Sequence, residues 1–246
     1  MEDIGIVLKE DKDRLKFIEE ALERYNFSLS RAQIKTQLEF LKLLYVENTK
    51  YNLTSITKFE DMVYKHIIDS LLVLKVLNLK EEDSFLDVGA GAGFPSIPIL
   101  IVKQLKRAVQ LDSSRKRVEF LKKANNKLGL EIEVLNERAE DAAKKTKHRS
   151  QFKVVTARAV AKLNILSELC IPFVEIGGFF VALKGPEYMK ELEKSKNSID
   201  LLGGRIENIE NFKIENNVRN IILIKKISQT STKYPRSFSK ISKTPL

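Results

Sequence analysis

The 246-residue chain has one cysteine, two histidines and no tryptophan, and each shortage excludes a class of chemistry. A single thiol, Cys170, cannot form an internal disulfide and lacks the neighbours of a zinc site. It sits in an apolar run and reads as a buried structural thiol. His66 and His148 stand far apart in sequence, which argues against a histidine-rich metal centre. No apolar run reaches membrane-spanning length, the stretch 97–102 being far too short. Charge begins at the second residue, so no secretory leader is expected. The expectation is a soluble, cytoplasmic protein with neither metal nor membrane partner.

Acidic residues are also missing from one region. None follows Glu215, whereas Arg219, Lys225, Lys226, Lys233, Arg236, Lys240 and Lys243 do. Over the whole chain Lys+Arg is 43 against 33 Asp+Glu, a net charge of +10, which favours a polyanionic partner. Hydrophobic residues make up 43%, enough for a packed core and too many for a disordered chain.

Residues 1–80 read as a helical extension. Leu15, Ile18, Leu22 and Tyr25 recur at helical spacing. Ser30 with Gln33 is a capping-box signature for a helix carrying Leu38, Leu41, Leu44 and Tyr45 on one face. Met62, Ile67, Leu71, Leu74 and Leu77 predict a third helix. Residues 81–227 then alternate strands and helices. Strands are expected at 84–88, 108–112, 132–135, 152–156 and 179–183, with Gly177 and Gly178 as a turn. Helices are expected at 115–128, 139–145, 161–174 and 187–202, the first stopped by Gly129. Such alternation predicts a doubly wound, Rossmann-like α/β sheet, mostly parallel. The runs 205–209 and 220–227 predict an antiparallel hairpin at its C-terminal edge. Residues 228–246 form a basic tail, expected to order only against a partner.

The most informative stretch runs from Phe85 to Phe94, a buried strand that breaks into glycines at positions 89, 91 and 93. A doubly wound sheet binds nucleotide-like ligands at such a turn. The dinucleotide fingerprint Gly-x-Gly-x-x-Gly would need a glycine at Phe94. The spacing Asp87, Gly89, Gly91, Gly93 suits an adenosyl group without a pyrophosphate, with S-adenosylmethionine the leading candidate. Asp112, ending the second strand, is placed to accept the ribose hydroxyls or to cap the next helix beside Ser113. The loop Arg138-Ala139-Glu140 is expected over the adenine. Arg158 and Lys184 end the fourth and fifth strands at the same sheet edge. The loop after the fourth strand has no Asn/Asp-Pro-Pro-aromatic motif and no Pro-Cys pair, which disfavours exocyclic amine methylation and cysteine attack on a pyrimidine. No Ser-His-Asp or Cys-His set is evident.

Several segments together resemble one family. They are Asn52-Leu53-Thr54, His66-Ile67-Ile68-Asp69-Ser70, Phe85 to Pro95, Leu111-Asp112-Ser113, Lys116-Arg117-Val118, Ala157-Arg158-Ala159, Lys184-Gly185 and Lys233-Tyr234-Pro235-Arg236. The chain resembles the RsmG (GidB) family of bacterial small-subunit ribosomal RNA methyltransferases from about Leu41 onward. It departs at Ser96, where the family usually has glycine, and at Ser114-Arg115, where it often has Leu-Gly. It also lacks the Trp-Asn pair often found before Asn-Leu-Thr.

The resemblance implies a class I S-adenosylmethionine-dependent methyltransferase that yields S-adenosylhomocysteine. It implies methylation of guanine N7 in the 530 loop of 16S rRNA, on the small ribosomal subunit, by a monomer. It places the cofactor on Gly89, Phe94, Ala139, Glu140 and Arg158, with Asp112 near the ribose. N7 carries an in-plane lone pair and no proton, so no general base is required. Arg158 or Lys184 is then expected at guanine O6 or a phosphate, because a donor on N7 would block its lone pair. Lys184, Lys233, Arg236, Lys240 and Lys243 are expected to neutralise phosphates. Tyr234 or Phe94 is expected to stack on a flipped guanine. Asn52 fits a helix-connecting turn, and His66 a hydrogen-bonded structural role, as well as either fits a functional one. Three other readings stay open: a dinucleotide-dependent reductase, a non-enzymatic RNA-binding protein, and a methyltransferase acting on a protein or small molecule.

Overall fold

The computed structural model describes the backbone from Glu2 to Leu246 and the side chains from Glu10 onward. Seven strands form one sheet in the order β3-β2-β1-β4-β5-β7-β6. The parallel part is β1 (Ser84–Val88), β2 (Arg107–Asp112), β3 (Glu133–Asn136), β4 (Phe152–Arg158) and β5 (Val174–Lys184). The edge is an antiparallel hairpin of β6 (Gly204–Ile214) and β7 (Asn217–Lys226). This is the doubly wound sheet and edge hairpin expected from the alternation.

Neighbouring residues of the central strands point to opposite faces, as the period of two requires. Phe85, Val154 and Val181 join a core beneath the N-terminal helices. Leu86, Val155 and Ala182 join a second core on the other face. Both faces are covered, which explains the continuous apolar runs of these strands.

The helical layer begins with α1 (Glu2–Arg24) and α2 (Arg31–Tyr51). Ser30 and Gln33 form the expected capping box, with Gln33 N–H donating to Ser30 Oγ at 3.2 Å and Ser30 N–H to Gln33 Oε1 at 2.9 Å. Leu38, Leu41 and Leu44 are buried, but Tyr45 is 59% exposed and lies off that face. Asn52 closes α2 in the left-handed conformation (φ 49°), the helix-connecting role. The third helix is not continuous. It is α3 (Phe59–Met62), a π-helical segment Val63–Ile68, α4 (Asp69–Leu71) and α5 (Val73–Val76). Apolar periodicity does not register an inserted residue that widens one turn.

Two further boundaries differ from expectation. Gly177 and Gly178 lie inside β5, next to a register shift between β5 and β4. A Cβ at Gly178 would stand 2.6 Å from the Lys153 carbonyl oxygen, so glycine there serves close strand approach. The helix expected at 187–202 is split into α10 (Tyr188–Glu193) and α11 (Lys196–Leu201). Between β1 and β5 run α6 (Ser96–Val102), α7 (Arg115–Leu128), α8 (Ala139–Ala142) and α9 (Leu163–Cys170). The fully buried Cys170 ends α9.

The tail is ordered on the protein itself, which corrects the expectation that it needs a partner. The Arg149 guanidinium donates to the carbonyls of Thr230 (2.8 Å), Tyr234 (2.9 Å) and Ser231 (3.1 Å). Tyr234 and Ile241 are buried in the second core. The tail ends in α12 (Phe238–Lys243). Its anchors are distant in sequence, so local composition does not reveal them.

Candidate functional site

The chain leaves β1 through Gly89, Gly91 and Gly93, all at positive φ (71°, 57° and 88°). Only glycine takes that conformation without strain at three such positions. The amides of Gly89 and Ala90 donate to the Leu111 carbonyl at 2.7 and 3.1 Å, which pins the turn to the end of β2. Gly91 N–H donates to Asp112 Oδ2 at 3.0 Å, and Ser114 N–H to Asp112 Oδ1 at 2.8 Å. The carboxylate that ends β2 therefore fixes the glycine turn and the start of α7 together. Neither Ser113 nor Ser114 supplies that helix with a side-chain cap.

Above this turn, at the carboxyl ends of β1 and β2, lies a cavity of about 360 Å³. Gly89, Asp112, Ala139, Glu140 and Val160 line it, with Arg138 and Phe238. A Cβ on Gly89 would approach Val160 Cγ2 to 2.6 Å, so glycine lets that loop close over the turn. Glu140 is 7% exposed, and among the described residues its carboxylate has no hydrogen-bonded partner. Its carboxylate oxygens stay accessible beside the cavity, with lone pairs free to accept from a ligand. Asp112 at the end of β2, a bare backbone at Gly89 and the free Glu140 carboxylate fit an adenosyl cofactor. Among the described residues no group of acidic, histidine or cysteine side chains is arranged to hold a metal ion.

Several residues expected on the cofactor do not line this cavity. Asp87 is fully buried beneath the turn. Its Oδ2 accepts from Ser96 N–H at 3.2 Å and its Oδ1 from the Thr156 hydroxyl at 3.1 Å. Burial pushes its pKa up to about 6, against these two hydrogen bonds. Ser96 Oγ in turn accepts from Gln110, whose Oε1 accepts from Asn125, so Ser96 belongs to a buried network. Phe94 is 4% exposed and stacks on His66 at 4.2 Å between ring centroids, with Phe40 beside it at 5.1 Å. It supports the site from below and has no open face for a cofactor or a guanine. Gly91 and Gly93 shape the turn and are not among the residues lining the cavity.

A second cavity of about 560 Å³ adjoins the first. The two share Ala159, Val160 and Ala161 as a wall. Ala159 holds a left-handed φ of 56°, a strained conformation for a residue with a Cβ. The second cavity is lined by His66, Asp69, Arg158, Lys184, Arg219 and Asn220, among others.

Arg158 lines the second cavity and is held there by internal partners. Its Nη1 donates to Asp69 Oδ2 (2.8 Å) and to the Lys65 carbonyl (2.9 Å). Its Nη2 lies 3.2 Å from His66 Nδ1, and its guanidinium covers the Phe94 ring at 5.0 Å. Arginine only donates, so Nδ1 accepts and the His66 proton sits on Nε2, facing Thr54 Oγ1 at 3.1 Å. Burial, with the Arg158 charge second, drives the His66 pKa down to about 3. Asp69 Oδ1 takes a second guanidinium, Arg219, at 3.0 Å.

Lys184 is also committed. Its ammonium pairs with Glu191 at 2.7 Å and donates to the Ala161 carbonyl at 2.7 Å. Glu191 Oε2 accepts from Leu163 N–H at 2.8 Å. The pair thus clamps the C-terminal side of the wall between the cavities, at Ala161 and Leu163.

In the tail, Lys233, Lys240 and Lys243 are exposed as expected. Tyr234 is buried and Arg236 is paired with the buried Glu168, so neither is available to RNA in this conformation. Sequence reasoning missed Asp69 and Arg219 as site residues. The spacing of Asp69 three residues after His66 on a helix was a usable signal. Nothing local marks Arg219, which the edge hairpin brings in.

Known proteins agree with this architecture. The family profile for rRNA small subunit methyltransferase G, GidB, matches residues 33–222. A ribosomal RNA small subunit methyltransferase G of Clostridium kluyveri is 44% identical over 210 residues, covering 85% of this chain and 89% of its own. One from a Thermoanaerobacter species is 44% identical over 230 residues, covering 92% and 96%. Among solved structures, a precorrin-6y C5,15-methyltransferase of Geobacter metallireducens superposes with a TM-score of 0.50 at 16% identity. It covers 64% of this chain and 87% of its own, a likeness of fold. On the profile match and these identities, the chain belongs to the GidB family, rRNA small subunit methyltransferase G.

Proposed function

We propose that the protein transfers a methyl group from S-adenosylmethionine to N7 of a guanine in the 530 loop of 16S rRNA, acting on the small ribosomal subunit as a cytoplasmic monomer. The observation that carries the reading is the shared wall. A cavity suited to an adenosyl group meets a second cavity at Ala159, Val160 and Ala161, so donor and acceptor can face each other there. The family names of the relatives support an rRNA acceptor.

When bound, the cofactor supplies an electrophilic methyl group on sulfur. Asp112 and the turn at Gly89 hold its nucleoside, and Glu140 accepts from it. The Lys184–Glu191 clamp keeps the wall in one place. Arg158 is a positioning residue: held by Asp69, it lies over Phe94 and fixes His66. Guanine N7 attacks through its in-plane lone pair and releases no proton. The side chains around the second cavity suit that chemistry, because Arg158, Asp69, Lys184 and Glu191 already pair with one another. What remains is alignment, which contributes by lowering the entropy of approach.

The test uses labelled S-adenosylmethionine and small subunits that lack the modification, with the methyl mapped by strand cleavage at N7-methylguanine. A signal confined to the 530 loop supports the whole assignment. Transfer elsewhere on the RNA keeps the cofactor and removes the position. No transfer to RNA returns the acceptor to a protein or small molecule.

A further inference from the structure

Phe238 lines the cofactor cavity from the far end of the chain. The residue is 39% exposed, although it belongs to a helix that is otherwise anchored. Ile241, one turn on, is fully buried in the second core and holds α12 against the domain. The helix therefore does not need Phe238 for packing, and its ring is left facing the cavity.

The ring is held there by a rigid strap. Two residues earlier, Arg236 donates to Glu168 from its backbone N–H (2.8 Å), Nε (2.9 Å) and Nη2 (2.7 Å). Glu168 is on α9 and fully buried. Arg149 grips the preceding carbonyls of Thr230, Ser231 and Tyr234. Arg138, from the loop after β3, sets its guanidinium 5.5 Å from the Phe238 ring centroid. That contact ties the aromatic ring to one particular end of the cavity. In a doubly wound sheet the acid ending the second strand takes the ribose, and the loop after the third strand lines the same cavity beside it. Arg138, Ala139 and Glu140 form that loop here.

We propose that Phe238 is the aromatic wall on which the purine of the bound adenosyl cofactor packs, with Arg138 steadying the ring. The C-terminal strap is thereby part of the cofactor site. This rests on the assignment of the first cavity to S-adenosylmethionine.

The absence of tryptophan from the chain provides a direct probe. Phe238→Trp makes a protein with one tryptophan, located at the proposed contact. Titration with S-adenosylhomocysteine, and separately with adenosine, should change its emission, saturating at the dissociation constant found by calorimetry. Phe238→Ala should bind both ligands roughly tenfold more weakly, as loss of a base-stacking aromatic does. Its unfolding midpoint without ligand should match the wild type, and Phe238→Tyr should restore affinity. Wild-type affinity in Phe238→Ala overturns the proposal. So does unchanged emission from Phe238→Trp when calorimetry shows it saturated. If Phe238→Ala does not fold, the emission of Phe238→Trp decides alone. If the folded wild type binds neither ligand, the cofactor assignment itself fails and this inference fails with it.

Discussion

Arg158 and Asp69 pair at 2.8 Å across 89 residues of sequence, joining the end of β4 to the π-widened helix of the N-terminal layer. Asp69 also holds Arg219 at 3.0 Å from the edge hairpin. One carboxylate thus fixes two cations from different elements beside the second cavity.

The two partners are not equivalent, and substitutions should separate them. Asp69→Ala leaves two guanidinium groups without their shared anion and should cost about 3 kcal/mol. Arg158→Ala leaves Asp69 paired with Arg219 and should cost less, about 1 to 2 kcal/mol. Both should suppress methyl transfer, since each unseats Arg158 from Phe94 and His66. Urea unfolding gives the ranking. Equal losses in stability would show that Arg219 does not share the charge.

The same cluster shows where sequence reasoning stops. The glycine turn, Asp112 and the loop at Ala139 were legible because strand, turn and acid follow one another in a fixed local order. Arg158 and Lys184 were found as strand-end residues at the right edge. Their internal partners were not, because Asp69 and Arg219 reach Arg158 only through tertiary folding. Asp87 and Phe94 sit inside the recognised motif, yet one ties β1 to β4 and α6 and the other supports Arg158. A motif identifies which residues occur at a turn but does not say which face each presents. Tyr234 and Arg236 teach the same lesson for charge: a basic, polar tail resembles a solvated one until Glu168 and Arg149 are seen beneath it.

His66 should make stability fall in acid. Its ordinary pKa of 6.5 drops to about 3 in the folded protein. Below pH 6.5 the unfolded chain takes up a proton that the folded state refuses. This contribution is complete above pH 6.5 and is lost as pH falls toward 3. At pH 5 the loss is on the order of 2 kcal/mol. Asp87, raised from 3.8 to about 6, acts in the opposite sense over an overlapping range. The informative quantity is therefore the difference between wild type and His66→Gln, measured by urea unfolding from pH 7 to pH 4.5. The variant should lose less stability than the wild type. Nitrogen NMR should also show His66 neutral at pH 5 with its proton on Nε2; a protonated ring there contradicts the hydrogen-bond assignment.

Glu168 is buried with its charge met by Arg236 alone among the charged side chains described. Arg236→Ala should leave that carboxylate stranded and cost about 3 to 5 kcal/mol. Adding Glu168→Gln removes the charge and should recover part of the loss. A double-mutant cycle by thermal or urea unfolding measures the coupling. An Arg236→Ala loss confined to RNA affinity, with stability intact, would return Arg236 to the role first expected of it.

Lys233, Lys240 and Lys243 differ from Arg236 in being exposed, and among the described residues they form no salt bridge. They are the tail cations still able to meet phosphate. Each phosphate neutralised on a single strand releases counterions and steepens the fall of log K with log salt by about 0.7. Replacing all three with Gln should therefore weaken binding to the small subunit and flatten the salt dependence by up to about 2. Lys→Arg at the same positions should keep the slope, since charge rather than shape is at issue. Affinity for S-adenosylhomocysteine should not change, in contrast to the loss expected for Phe238→Ala. The two results would divide the tail into a strap that serves the cofactor and a set of lysines that serves the RNA. An unchanged salt slope in the triple Gln variant would move the phosphate contacts off the tail, to other cations at the sheet edge.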